Sequence, residues 1–257
     1  MDRLAIVNAE SDRFAAVLAE CPADARVPCC PDWDARDLLW HLTEVHQFWT
    51  GVISSGARTD EDVEALEEQE RPDSLDELLA RREEATAALI GQLVAHDDAE
   101  AVWSWFEADQ TVGFTRRMQT YEATIHRVDA EQAAGLEVTA IAPEVAAGAV
   151  DHCVDVMWWG WAPEGATYEP LSVVELVATD TGDRWLVQLG HCTGESEGEP
   201  YDYPRAGRAD SGTPVATVSA PVHDLALWAW TRGHDVEITG DESGKRDIAA
   251  LIDFGIQ

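Results

Sequence analysis

The pattern of apolar residues in this chain changes after Pro163, and that change divides the fold. As far as about residue 158 they recur at helical spacing; beyond Pro163 they gather into short strand-like runs. Residues 3–20 carry Leu4, Val7, Phe14, Val17 and Leu18 at intervals that predict an amphipathic helix. A second helix is expected from about Ala35 to about Val52, bearing Leu38, Leu39, Leu42, Val45 and Trp49. Asp32 or Asp34 offers its first turn a short side-chain acceptor. The acidic stretch 59–72 reads as a solvated loop or excursion. Further helices are expected over 74–94, 114–134 and 143–158, whereas 98–112 holds Trp103, Trp105 and Phe106 without a helical period.

After Pro163, LSVVELVAT (171–179) and RWLVQLGHC (184–192) read as strands around a turn at 180–183. GESEGEPYDYPRAGRADSG (194–212) reads as a polar loop. A strand around PVATVSA, an apolar helix over 221–230, a short strand in VEITGD and a terminal helix over 242–253 complete the chain. The prediction is an α+β protein: a helical domain over 1–162, then a small α+β domain over 163–257. One continuous fold is the alternative, since only Pro163, Gly165 and Pro170 punctuate the junction.

Charge narrows the partners. Fifty acidic residues face 17 basic ones, for a net charge of −33, and Lys245 is the only lysine. Such a surface repels nucleic acid and anionic membranes, so no nucleic-acid or membrane partner is expected. A site for an anionic substrate needs a local reversal of sign, which gives weight to the few arginines. No apolar run approaches the roughly 18 residues of a membrane span. The opening MDRLAIVNAESDRF has no basic region followed by an apolar one, so a cytoplasmic location is the expectation. The five cysteines are odd in number and irregular in spacing, and are read as core or incidental residues rather than a disulfide framework. The segments WSWF, MWWGW and LWAW serve core, cleft wall or interface, which leaves monomer and homodimer both open.

Chemistry concentrates in EATIHRVDA (122–130). Glu122 and His126 are four residues apart, hence on one helical face with Cβ atoms about 5–6 Å apart. Carboxylate oxygen and imidazole nitrogen suit zinc, iron, nickel or manganese, although such pairs also line ordinary polar faces. His41, in LLWHLTEVH, stands among Leu38, Leu39 and Leu42; it is either a hydrogen-bonded core histidine or a third ligand. His46 lies about 140° further round the helix and is a poor partner for the same ion. Three protein ligands leave coordination positions open for water or substrate, as catalytic zinc requires. Asp37, one turn before His41, either orients its free nitrogen or caps the helix. Asp129 is read as fixing the end of the bundle. Arg116 and Arg117 precede Glu122 by one to two turns and either hold a substrate carboxylate or form salt bridges. Arg232 either faces the cleft or lies on the surface. His152, His191, His223 and His234 have no spacing that builds a second metal set.

CPDWDARDLLWHLTEVH resembles the Pro-x-Trp-x-x-x-Asp-Leu-x-x-His-Leu segment of the mycothiol-dependent maleylpyruvate isomerase family, within the wider DinB-like superfamily. YEATIHRVDA resembles that family's Glu-x-x-x-His-Arg-x-Asp signature. The resemblance implies a DinB-like four-helix bundle followed by a smaller α/β domain, over nearly the whole chain. It implies that His41, Glu122 and His126 bind a divalent metal, usually taken as zinc. It further implies that mycothiol or a similar small thiol adds to a small electrophile such as maleylpyruvate, so that no protein cysteine is the nucleophile. Isomerisation and S-transfer both fit these residues. A non-catalytic metal-binding or small-molecule-binding regulatory or stress protein is the rival from another class, and hydrolysis by metal-bound water is a third reading.

Overall fold

The computed structural model describes residues 1–67, 69–160, 165–196, 199–233 and 235–256. They form two compact units, Met1–Thr139 and Ala140–Gln257. The expected boundary at 162/163 lies outside the described residues. The division falls earlier because the helix after residue 142 packs with the second unit, as described below.

The first unit opens with α1 (Arg3–Glu20), started by Asp2, whose carboxylate accepts from Ala5 N at 3.1 Å. The Cys-Pro connector then folds into a small antiparallel hairpin, β1 (Arg26–Val27) and β2 (Cys30–Asp34). Asp34 ends that hairpin and begins α2 (Ala35–Ser55). Its carboxylate accepts from Arg36 N and Asp37 N, both at 2.9 Å, while Asp37 accepts from Asp34 N at 3.0 Å. Three backbone amide donors are satisfied and the helix has a fixed origin. Gly56, at φ 68°, closes α2 in the left-handed region that a residue with a Cβ enters at a cost. The acidic excursion contains a short helix, α3 (Asp60–Glu64). Ser74 and Thr111 cap the remaining long helices, α4 (Leu75–Ala95) and α5 (Val112–Ala133).

Four long helices thus form the first unit among its described residues. Arg71, just before α4, pairs with Asp37 at the start of α2, so those two helices begin at the same end. Arg3–Tyr121, Arg127–Glu10 and Arg13–Glu131 align α1 with α5 in the same direction. Phe14, Val17, Leu18, Leu38, Leu39, Leu42 and Leu78 form the apolar interior, each worth about 1.5–3 kcal/mol when fully withdrawn from water. A buried ion-pair network closes one end. Arg127 donates to Glu10 (2.7 Å), Glu131 (2.9 Å) and the Thr139 carbonyl (2.8 Å), and Glu131 also accepts from Arg13 and from Thr139 N and Oγ1.

In the second unit α6 (Pro143–His152) continues into a π-helical turn over Cys153–Met157. A five-stranded sheet follows, made of β3 (Thr167–Ala178), β4 (Arg184–Ser196), β5 (Glu199–Arg208), β6 (Ala216–Ala220) and β7 (Glu237–Gly240) in the order β5-β4-β3-β6-β7. Only the β3–β6 pairing is parallel. Two helices complete the unit, α7 (Val222–Ala229) between β6 and β7 and α8 (Glu242–Phe254) after β7. Trp230 Nε1 donates to the Ala149 carbonyl at 3.0 Å, tying the end of α7 to α6 and explaining why α6 belongs here. Gly240, at φ 108°, has no room for a Cβ, which would collide with the Val215 carbonyl oxygen.

One expectation needs correction. The segment 194–212 is not a polar loop: β4 runs to Ser196 and β5 covers Glu199–Arg208. The strands are held by a long antiparallel ladder, from Val187↔Arg208 to Ser196↔Glu199. Backbone pairing of this kind does not require alternating apolar side chains, so the sequence pattern is silent about it. Among the described residues no helix is long and apolar enough to cross a membrane.

Candidate metal centre

Helices α2 and α5 bring three nitrogen and oxygen donors together inside the first unit. His41 projects from the second turn of α2; Glu122 and His126 occupy consecutive turns of α5. Their ligand atoms all lie within 4.8 Å of one another. His126 Nε2 is 3.1 Å from Glu122 Oε1, and His41 Nε2 is 3.7 Å from the same oxygen. The two imidazole rings meet edge to face, 4.7 Å between centroids. A tetrahedral ion with bonds of about 2.0–2.1 Å separates its ligands by roughly 3.4 Å, so the donor set fits one zinc-sized cation.

The surroundings fix these side chains. His126 Nδ1 lies 2.9 Å from Asp129 Oδ2, and Asp129 is fully buried. With Nδ1 protonated toward Asp129, Nε2 is left for a ligand. Trp33, from β2, packs its ring against His41 at a tilt of 43°, 4.7 Å between centroids. Burial by itself opposes charge on His126, but hydrogen bonds to Asp129 and Glu122 outweigh it and push the imidazole up to about 9. Burial would likewise raise the Glu122 carboxyl; hydrogen bonds from His126 and His41 hold it well below the usual range instead. The field at this point therefore favours a cation.

His46 faces elsewhere. Its Nδ1 is 2.9 Å from Thr86 Oγ1 on α4, and full burial pulls its pKa down to about 3, so it stays neutral. A cavity of about 630 Å³ opens between α2, α4 and the segment after α3, lined by Glu44, Val45, Phe48, Gly51 and Leu66 among others. The triad is not part of its wall.

Residues 4–131, which hold all three donors, match the model of the mycothiol maleylpyruvate isomerase N-terminal domain. The chain belongs to the mycothiol maleylpyruvate isomerase family. Two solved structures are similar to it. One is a mycothiol-dependent maleylpyruvate isomerase, at 15% identity, and the other a histidine-to-alanine mutant of the mycothiol-dependent maleylpyruvate isomerase, at 14%. Each alignment covers 93% of both chains with a TM-score of 0.59, a likeness of fold. No curated protein matches the chain in sequence.

Within this family member the three arginines singled out from sequence have other partners. Arg116 donates to the carbonyls of Leu93 and His96 at the end of α4 and pairs with Asp98. Arg117 pairs with Asp109 at 2.9 Å and lies over the Phe114 ring. Five residues before Glu122, it points about 140° away around α5. Arg232, in the second unit, is buried and donates to the carbonyls of Trp230 (2.8 Å) and Ile256 (2.6 Å). Asp37 takes the capping role and pairs with Arg71 at 2.6 Å. Asp129, read from sequence as a bundle-end residue, is instead the partner of His126; its i+3 spacing was the available signal. His234 lies outside the described residues.

Proposed function

We propose that this protein is an enzyme that holds a divalent metal, zinc by preference, and uses a small thiol such as mycothiol to isomerise or S-transfer a small electrophile of the maleylpyruvate kind. The observation that carries the reading is the convergence of His41, Glu122 and His126 in a chain of this family. The solved relatives' activity supports the thiol and the electrophile.

A divalent ion at this site would lower the pKa of a bound thiol, giving thiolate near neutral pH. The residues supply the rest. His41 and His126 offer imidazole nitrogens and Glu122 a carboxylate oxygen, a donor set that suits zinc. Asp129 accepts the Nδ1 proton of His126 and keeps its other nitrogen aimed inward. Trp33 packs against the His41 ring, 4.7 Å between centroids. None of the five cysteines lines the donor set, which suits a nucleophile brought by the cosubstrate. Arg116, Arg117 and Arg232 remain candidates for a substrate carboxylate only if they leave their present partners.

Elemental mass spectrometry of protein purified without added metal tests the first step, with His41→Ala and Glu122→Ala alongside. About one divalent ion per wild-type chain, lost in both variants, is expected. Turnover of maleylpyruvate that requires both mycothiol and the metal then tests the second. A wild type that neither carries nor binds zinc refutes the reading, and metal without thiol-dependent turnover leaves a metal-binding module.

A further inference from the structure

Cys29 stands in the turn of the β1–β2 hairpin, one residue before β2. Its thiol donates to Asp129 Oδ1 at 3.2 Å. The other oxygen of the same carboxylate meets His126 Nδ1 at 2.9 Å, and His126 Nε2 stands 3.1 Å from Glu122. Thiol, carboxylate, imidazole and ligand position form one line running from the hairpin to the metal centre.

We propose that Cys29 is a positioning residue for the metal centre: its thiol fixes the rotation of the Asp129 carboxylate and thereby the aim of His126. The inference rests on the metal reading above. A carboxylate held by a donor on one oxygen alone keeps freedom about its Cβ–Cγ bond. A second donor on the other oxygen removes that freedom, and the orientation of a ligating imidazole follows its carboxylate partner. Asp129 is fully buried, so water does not readily replace the thiol as that donor. Sulfur is a weak donor, yet the longer C–S bond lets a cysteine reach from the hairpin. In this role Cys29 is neither ligand nor nucleophile. The pairing joins residues 100 apart in sequence, which is why spacing alone marks the cysteine as incidental.

Zinc competition against a chromophoric chelator at pH 7.5 tests this with wild type, Cys29→Ser and Cys29→Val, the thermal midpoint of each metal-free protein being measured beside it. The valine variant should bind zinc about threefold to tenfold more weakly, less than the 10–100-fold typical when a ligand's immediate partner is removed. Serine restores an O–H donor and should recover most of that loss. Since a general packing defect would lower the metal-free midpoint, the comparison uses zinc affinity at matched folded fraction. Should the valine variant not fold, Cys29→Ala repeats the test with less volume. Equal zinc affinity in valine and wild type, or serine and valine falling together, overturns the proposal while the metal reading stands. A wild type that binds no zinc overturns both.

Discussion

Acidification from pH 8 to 5 should cost this protein stability through one buried imidazole, His46. The ring is fully buried and held at about 3 instead of its ordinary 6.5. At pH 8 it is neutral whether the chain is folded or not, so it contributes no pH dependence there. Below 6.5 the unfolded chain takes up a proton that the folded one refuses, and stability falls as pH falls. At 1.36 kcal/mol per pH unit, the loss reaches about 2 kcal/mol at pH 5. His126 works in the opposite sense. Its folded value is raised to about 9, so its contribution is complete below 6.5 and is lost as pH rises through about 9. Wild type alone therefore mixes two opposed effects, and His46→Gln separates them. Urea unfolding of both proteins, in chelator, at unit steps from pH 8 to 5 is the assay. The variant starts from a constant packing offset, and the gap to wild type should shrink by about 2 kcal/mol across the range. Parallel curves would refute the claim that burial keeps His46 neutral.

A zinc ion bound at the proposed site would displace a proton from His126, which is held to about 9 without metal; competition titrations from pH 6 to 8 should therefore show affinity rising about tenfold per unit. Arg127→Leu leaves the buried Glu131 carboxylate short of a partner, and a loss of about 3–5 kcal/mol in urea unfolding is expected; a loss below about 1 kcal/mol would mean the network is not maintained in solution. Gly240→Ala forces a Cβ onto the Val215 carbonyl at a positive φ and should cost about 1–3 kcal/mol, with the thermal midpoint as readout.

The helices were legible because both their period and their caps are local. Asp34, Ser74 and Thr111 each sit just before an apolar-periodic run, and the observed starts lie within two residues of expectation. The far end of α2 extends to Ser55 because Gly56, not the last apolar residue, stops it. Strands β4 and β5 escaped over 194–208 because polar, solvent-facing ladders carry no apolar alternation. The β1–β2 hairpin is too short to leave any period. At the centre, the shared face of Glu122 and His126 follows from helical geometry, and the family motif brought His41 to it. The role of Asp37 was not readable, since its helix-cap and histidine readings have equal local merit. Asp129 reads as a bundle-end residue, although its i+3 spacing to His126 was there to be used. Arg116 was decided by the carbonyls of Leu93 and His96, contacts that exist only once α4 and α5 have docked.

The pairing of α1 with α5 sets when this protein can be completed. Arg127–Glu10 and Arg13–Glu131 join residues 117 and 118 apart, so the first helix made waits for the last helix of its unit. The donors are split in the same way, His41 early and Glu122 and His126 late. A ribosome-bound chain that stops before α5 holds a single histidine of the triad and an unclosed apolar face. Closure of the bundle, and with it the assembly of the three donors, thus falls late in synthesis, slower than in a bundle whose neighbours follow one another along the chain.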